Sequence, residues 1–425
     1  MDKHLKILVV LPLYGGSLPV GRFCVSALRQ MGHLVEVFEA PDYYGAYQAL
    51  EASRVTSDRL EQLQQSFLQV VSQIVLAKVE SFEPDLVLAL AQAPLSLQAL
   101  KRLRRDKVVT AMWFVEDFRL FTYWRAFAPF YDVFAVIQKD PFPAELAAMG
   151  QPNALYLPLA AQPDFHRPLK LTPVERRKFG ADVAFMGAGY PNRRLAFRDL
   201  VHFDFKIWGT EWEGDHVLAP YVQMAGARVS SEDCVRIFNA TRVNLNLHSS
   251  VDPSRLVTGG DFVNPRTFEL AMCGAFQLVD PRTLMPELFA ENELATFESI
   301  PDLKDKIAHF LAHPAERAAY AERARARALA DHTYARRMQT LLDFTAERIP
   351  GWPRPRAAAT AAAELAGLAP ELAAEVTALL DRLGLPEDVG FDDLVWALRQ
   401  QQGRLTDLDV SILFLDEWRK QYVGE

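Results

Sequence analysis

The sequence predicts two α/β domains, each a doubly wound, Rossmann-like parallel sheet, facing each other across a cleft and followed by a small all-helical appendage. Three observations predict this. Continuous apolar runs alternate with amphipathic segments, which is typical of strands buried on both faces of a parallel sheet. The alternation stops at a proline-punctuated linker near 158–178 and then begins again. A chain of 425 residues is also too long for one ordinary core.

The first domain is predicted over 1–160. LKILVVLPL is a buried strand, a Gly-Gly turn follows, and GRFCVSALRQMGH has helical spacing before a second strand, LVEVFEA. Residues 58–79 carry apolar side chains at helical intervals. Further strands are predicted at 84–91, 108–114 and 133–138. In such sheets ligands bind outside the carboxyl ends of the strands.

The second domain is predicted over 161–346. ADVAFMGAGYPNRR reads as strand, glycine turn and helix, and FKIWG, VNLNLHSS and AFQLVD are later strands. FELAMCG is a helix before the last of these, and residues 303–346 are helical. Residues 357–425 have helical apolar spacing and no chemistry of their own, so we predict an appendage that offers a contact to a partner protein or a dimer.

Composition narrows the class of protein. The net charge of −8 argues against nucleic-acid binding, and the arginines of RAAYAERARARALADHTYARR alternate with alanines and acids, as on a solvated helix face. No stretch has the 18 or so apolar residues that span a bilayer, and the N-terminal apolar run is short and leads into Gly-Gly. The three cysteines have no metal-like spacing. These features predict a cytoplasmic protein.

Two glycine turns follow strands and are candidates for anion binding. Gly15 and Gly16 lie in the first, although an ordinary turn between a strand and a helix explains them equally well. Gly187 and Gly189 lie in the second, and Arg193 falls in the first turn of the next helix. A cation there opposes the helix dipole, and a bound anion would reverse that penalty. A solvated arginine is the alternative.

The stretch NPRTFELAMCGAFQLVD supplies the strongest candidates for donor binding. Glu269 can accept two hydroxyl groups of a ribose, and the planar guanidinium of Arg266 can hold phosphate oxygens. An internal ion pair between the two is the alternative. Asn264 and Thr267 flank Arg266, and His248 ends the preceding strand, so we predict that they also line the donor site.

From about residue 1 to 346 the chain resembles GT-B-fold glycosyltransferases of the CgeB-like, spore maturation protein-like family. FMGAGYPNRR, FKIWGTEW, SSEDCVRIFNATRVNLNLH, NPRTFELAMCGAFQLVD and DHTYARR carry the resemblance, and GG…L…GH.VEVF and WFVEDF carry it less specifically. It implies a nucleotide-sugar donor held mainly by the second domain, with Glu269 on the ribose. It also implies an acid near the transferred sugar, where Asp261 stands instead of the usual glutamate. Arg193 is similar to the family's phosphate-binding lysine, while Ala188 replaces its arginine.

The predicted reaction is the transfer of a sugar from a nucleoside-diphosphate sugar, without a metal or another cofactor. Metal-dependent transferases use an Asp-x-Asp motif, and the only one, at 407–409, lies in the predicted appendage. Asp117 is the predicted base, with Glu116 beside it, and inversion and retention both stay open. A noncatalytic scaffold that recruits a partner through the helical tail is an alternative, and a nucleotide-sugar epimerase is another. The sequence does not specify the transferred sugar, the nucleobase of the donor or the acceptor (protein, glycan or small molecule).

Overall fold

The computed structural model describes residues 4–250, 260–353, 369–386, 389–401 and 403–422. The first sheet is parallel, with strand order β2-β1-β3-β4-β5-β6. Its strands are β1 Lys6–Val10, β2 Leu34–Phe38, β3 Leu86–Leu90, β4 Val109–Phe114, β5 Val133–Val136 and β6 Ala154–Tyr156. The accompanying helices are α1 Ser17–Gln30, α2 Tyr44–Glu51, α3 Ser57–Phe82, α4 Leu97–Arg105, α5 Trp124–Phe127 and α6 Phe142–Ala148.

Alternation along the strands divides the first domain into two cores. Ile7 and Val9 pack with α1 on one face of the sheet, whereas Leu8 and Val10 pack with α3 on the other. All four side chains are fully buried, which accounts for the continuous apolar run in the sequence.

The second sheet is also parallel, with strand order β11-β10-β9-β7-β8. Its strands are β7 Ala181–Met186, β8 Phe205–Trp208, β9 Thr241–Asn246, β10 Gln277–Val279 and β11 Ala295–Thr296. The helices of this half are α7 Pro173–Phe179, α8 Pro191–Phe197, α9 Ser231–Ala240, α10 Pro265–Met272, α11 Ile300–Ala312, α12 Pro314–Asp331 and α13 Tyr334–Arg348.

Helix α13 returns to the first domain and joins the two halves. Tyr334 is fully buried, with its ring 5.4 Å from that of Phe23 in α1. Arg337 donates from Nε to the carbonyl of Pro158 at 2.7 Å and from Nη2 to that of Leu159 at 3.1 Å. The last helix of the predicted second domain therefore packs against α1 of the first domain and against the segment that follows β6.

The appendage is a three-helix unit docked on the first domain. Its helices are α14 Pro370–Leu383, α15 Phe391–Gln400 and α16 Asp407–Tyr422. Trp396 of α15 lies 5.3 Å from the ring of Phe82, and its indole N–H donates to Glu36 at 3.2 Å. Asp393 pairs with Lys6 at 2.5 Å, at the amino end of β1 and therefore away from the cleft.

The predicted fold class is confirmed, with several short elements added. The three-residue strand β6 and the two-residue strand β11 were not predicted, because elements so short leave little periodicity to detect. Helices α4 and α9 were also not predicted, although both bury one apolar face. No helix within the described ranges is long and apolar enough to cross a bilayer. The cytoplasmic location stays a prediction.

Candidate active site at the interdomain cleft

The first glycine turn lies at the carboxyl end of β1 and touches the second domain. Gly15 has φ +99°, a backbone angle that would be strained in a residue with a side chain, and Gly16 is the N-cap residue of α1. Arg228, which precedes α9, donates from Nη2 to the carbonyl of Gly15 at 3.0 Å. The turn therefore lines the cleft, and donor binding by Gly15 and Gly16 stays a prediction.

Glu116 is the most perturbed acid of this edge. It follows β4, and its carboxylate accepts hydrogen bonds from the Tyr123 hydroxyl at 2.7 Å and from the Gln92 amide. Burial raises the pKa of Glu116 above its usual range, and the two hydrogen bonds only partly offset that rise. Glu116 is thus better suited than an exposed acid to take or give a proton near neutral pH.

Asp117 organises the loop after β4. Its Oδ1 accepts the backbone N–H of Arg119 at 2.9 Å, and its carbonyl accepts the N–H of Phe121 at 2.9 Å. Asp117 is partly exposed. The structure therefore gives its carboxylate a turn-forming contact, and its role as the base stays a prediction.

The second glycine turn is packed against the loop after β8. A side chain on Gly189 would collide with the carbonyl of Glu211, so only glycine fits. Gly187 donates to the carbonyl of Trp208 at 2.9 Å, and its own carbonyl accepts the indole N–H of Trp212 at 3.0 Å. The turn's conformation therefore depends on the neighbouring loop rather than on the turn alone.

Arg193 lies within this turn rather than in solvent. Its Nε donates to the carbonyl of Leu247 at 2.9 Å and its Nη1 to that of Ala188 at 3.0 Å. Burial lowers the pKa of Arg193 to about 10, while Asp280 opposes and Arg266 adds to that shift. Arg193 is still a cation at neutral pH and is close enough to Arg266 to sense its charge. The adjacent Arg194 is different, because its guanidinium binds carbonyls of the β8 loop.

Arg266 and Glu269 form the ion pair that the sequence left as an alternative. Arg266 Nη1 lies 2.6 Å from Glu269 Oε2, and the guanidinium stacks 4.8 Å from the ring of Phe238. The other oxygen, Oε1, faces His166 Nε2 at 3.9 Å. Arg266 Nε is buried and has no hydrogen-bond partner within the described part of the chain. The side chain of Arg266 is 24% exposed and that of Glu269 is 13% exposed, so one ligand can contact both.

His248, Asn264 and Thr267 hold one another in place. His248 accepts the N–H of Asn264 on Nε2 at 2.9 Å, which leaves Nδ1 to donate to Asp280 at 2.7 Å. Asn264 caps α10 by accepting the N–H of Thr267 at 3.1 Å. Asn246 donates to the Thr267 hydroxyl at 2.8 Å. His248 and Thr267 are fully buried. Their contacts favour a role in positioning the start of α10 over direct contact with the nucleotide-sugar donor.

Asp261 links the two domains. Its Oδ1 accepts from Gln138 Nε2, at the end of β5, at 2.9 Å. Arg119 Nη1 lies 3.7 Å from the same oxygen. Gln138 is fully buried, and its Oε1 accepts the N–H of Phe118 at 3.0 Å. One amide side chain therefore connects the acid-bearing loop after β4 to the loop that carries Asp261.

The structure brings most predicted residues to facing edges of the two sheets. Arg266 and Glu269 form an ion pair, and Arg193 lies near enough for its pKa to respond to the charge of Arg266. Glu116 contacts Gln92, and Asp261 contacts Gln138, at the cleft. Sequence reasoning missed Gln92, Gln138, His166, Arg228 and Arg282. None of these lies in a motif, and all except Arg282 contact partners that are distant in sequence. Gln92 follows a predicted strand and Gln138 ends one, and only those positions could have marked them.

No metal site was found among the described residues, where no group of three or more His, Cys, Asp or Glu side chains has a suitable arrangement. The Asp-x-Asp motif begins α16 in the appendage, and Asp409 is buried against Arg382 and the N–H of Thr406. Metal independence stays a prediction.

Comparisons with known proteins agree with this architecture. Residues 173–343 match a family described as "Glycosyl transferase-like". The chain is 24% identical over 263 residues to the spore protein CgeB of Bacillus subtilis (strain 168), covering 57% of this chain and 77% of that protein. These matches confirm the resemblance expected from the sequence motifs.

Solved glycosyltransferase structures share the fold. An Anabaena HepE structure in complex with UDP and glucose superposes with a TM-score of 0.56 at 13% identity, covering 81% of this chain and all of that one. A glycosyltransferase from Rickettsia africae ESF-5 gives 0.54 at 12% identity, covering 82% and 100%. At these identities the likeness establishes the two-domain fold.

Proposed function

We propose that this chain, a CgeB-like glycosyltransferase, moves a sugar from a nucleoside-diphosphate sugar to an acceptor hydroxyl without a metal ion. The cluster of Arg193, Arg266 and Glu269 at the carboxyl edge of the second sheet carries this proposal. Burial and the nearby charge of Arg266 both disfavour the charged form of Arg193, and an anion bound beside the two guanidinium groups would offset that penalty. A departing diphosphate is such an anion.

Each member of the cluster has a separate task in this mechanism. Arg193 and Arg266 stabilise the negative charge that develops as the bond between the sugar and the diphosphate breaks. The Arg266 guanidinium, whose side chain is 24% exposed, supplies hydrogen-bond donors for diphosphate oxygens. Glu269 accepts ribose hydroxyl groups, and its ion pair with Arg266 keeps its carboxylate oriented.

The acceptor hydroxyl is activated from the first domain. We assign the base to Glu116 instead of Asp117, the residue predicted from the sequence, because burial raises the pKa of Glu116 while the Asp117 carboxylate is engaged in a turn. Glu116 takes the proton as the hydroxyl attacks the sugar in an inverting reaction, and in a retaining reaction it only orients the acceptor. Asp261 lies on the sugar side of the cleft, held by Gln138.

Nucleotide binding and turnover test the proposal with a matched pair of variants. Thermal shifts with UDP, GDP and dTDP identify the nucleobase of the donor. UDP is tested first because the HepE structures are complexes with UDP and UDP-glucose. We expect Glu269→Gln to weaken donor binding about 10- to 100-fold, since hydrogen bonds to a charged group contribute about 1.5–3 kcal/mol. Asp233→Asn is the control, because it alters a similar i,i+3 pair, with Arg236, on α9. Unchanged donor affinity in Glu269→Gln would contradict the proposal.

A further inference from the structure

An exposed aromatic ring stands at the carboxyl edge of the first sheet. Tyr14 follows β1 and is 45% exposed. Its ring stacks on that of Tyr44, the first residue of α2, with 4.8 Å between centroids and 29° between planes. A stacked ring keeps one orientation, so Tyr14 presents a fixed flat face instead of a mobile side chain.

This stack continues into the candidate active site. The next residue, Gly15, accepts a hydrogen bond from Arg228 of the second domain. A side chain on Gly15 would touch the Oε1 atom of Gln92 at 3.6 Å, and Gln92 donates to Glu116. Loops after β1, β3 and β4 therefore form one continuous row, with the Tyr14 ring at one end and the proton-accepting acid further along.

Two more tyrosines, Tyr44 and Tyr47, lie on helix α2 beside the exposed ring. Burial raises the pKa of the Tyr47 hydroxyl, and the charges of Tyr14 and Tyr44 contribute to that shift. A pyranose has an apolar C–H face and a rim of hydroxyl groups. A flat ring with phenol hydroxyls at its edge complements both features, whereas a purely apolar ligand would leave the phenols without partners.

We propose that Tyr14, stacked on Tyr44, is an acceptor subsite that binds a pyranose ring, so that the acceptor hydroxyl belongs to a sugar. The proposal rests on the glycosyltransfer function given above. The sugar packs its C–H face on Tyr14 and directs a hydroxyl along the row toward Glu116. Because the Tyr14 ring is largely exposed, its removal takes away the subsite without opening the core.

Saturation-transfer NMR on the full chain tests the subsite directly. The probes are the methyl pyranosides of glucose, galactose, mannose and rhamnose, with UDP present. We expect at least one to bind, with the protons of one sugar face shifted upfield by the tyrosine ring. Tyr14→Ala should weaken that binding about tenfold or more, which is about 1.4 kcal/mol, while Tyr14→Trp, which keeps a flat ring, should retain it.

Two results would overturn the subsite. One is that no pyranoside binds the wild-type protein, and the other is that Tyr14→Ala binds the sugar as well as the wild type does. Titrations of the same samples with UDP, GDP and dTDP separate the two proposals. If none of the three binds the wild type, that result counts against the glycosyltransfer function, whereas nucleotide binding without pyranoside binding counts against the acceptor subsite alone.

Discussion

Replacing Gln138 by glutamate should uncouple the two domains in a pH-dependent way. The Gln138 amide donates to Asp261 at 2.9 Å across the domains and accepts from Phe118. Gln138→Glu keeps the second contact but sets two carboxylates about 3 Å apart, where repulsion reaches about 5 kcal/mol at an effective dielectric constant of about 20. Proton uptake by the pair relieves part of this, so we expect a net loss of about 3 kcal/mol at neutral pH.

The sign of the pH dependence follows from the raised pKa of the carboxylate pair in the folded variant. Below about pH 3 both carboxyl groups are largely protonated in the folded and the unfolded chain, so the penalty vanishes. It grows as the pH rises through the pKa of the folded pair. The assay is urea unfolding of wild type and variant across this range, together with donor turnover at each pH.

Two further variants make the test specific to charge. Gln138→Leu removes both hydrogen bonds without adding a carboxylate. The decrease in its free energy of unfolding should therefore not depend on pH. Combining Gln138→Glu with Asp261→Asn restores a donor opposite an acceptor and should recover most of the stability. The reasoning is refuted if Gln138→Glu matches the wild type near pH 8, or if its pH dependence equals that of Gln138→Leu.

Three other predictions concern separate regions of the molecule. Glu116→Gln should lower the transfer rate by about 10²- to 10⁴-fold in an inverting enzyme while UDP affinity stays unchanged; equal rates would exclude Glu116 as the base. Burial lowers the pKa of His332 from 6.5 to about 4, so its contribution to the free energy of unfolding is complete above about pH 6.5 and declines as the pH falls toward 4. Urea unfolding should register a loss of about 2 kcal/mol from this group at pH 5, which His332→Gln should lack. Trp396→Ala should release the appendage from Phe82 and speed its removal by trypsin, whereas Trp418→Ala, at a side chain 51% exposed, should not; similar cleavage rates in both would contradict the docking.

Much of the architecture was predictable because it depends on local sequence. The run at β1 is apolar on both faces, and the structure buries both. Arg266 and Glu269 are three residues apart at a helix start, and this spacing predicts an ion pair as the alternative to separate ligand contacts. Asn264 at the start of α10 caps the helix, as its residue type favours.

The rest depends on contacts between distant parts of the chain. Gln138 and Asp261 are 123 positions apart and belong to different sheets. The raised pKa of Glu116 needs Gln92 and Tyr123 to be folded around it. His248 looked like a ligand-binding residue at a strand end, but only the fold reveals that Asp280 and the Asn264 amide occupy both of its ring nitrogens.

Diphosphate binding by the second domain depends on Arg193 and Arg266 in the function proposed above. Isothermal titration of UDP, GDP and dTDP beside their nucleosides measures that contribution directly. We expect at least one diphosphate to bind about 100-fold or more tightly than its nucleoside, and Arg266→Gln to reduce that ratio to about tenfold. If the diphosphate and the nucleoside bind equally, or if Arg266→Gln leaves the ratio unchanged, the claim is wrong.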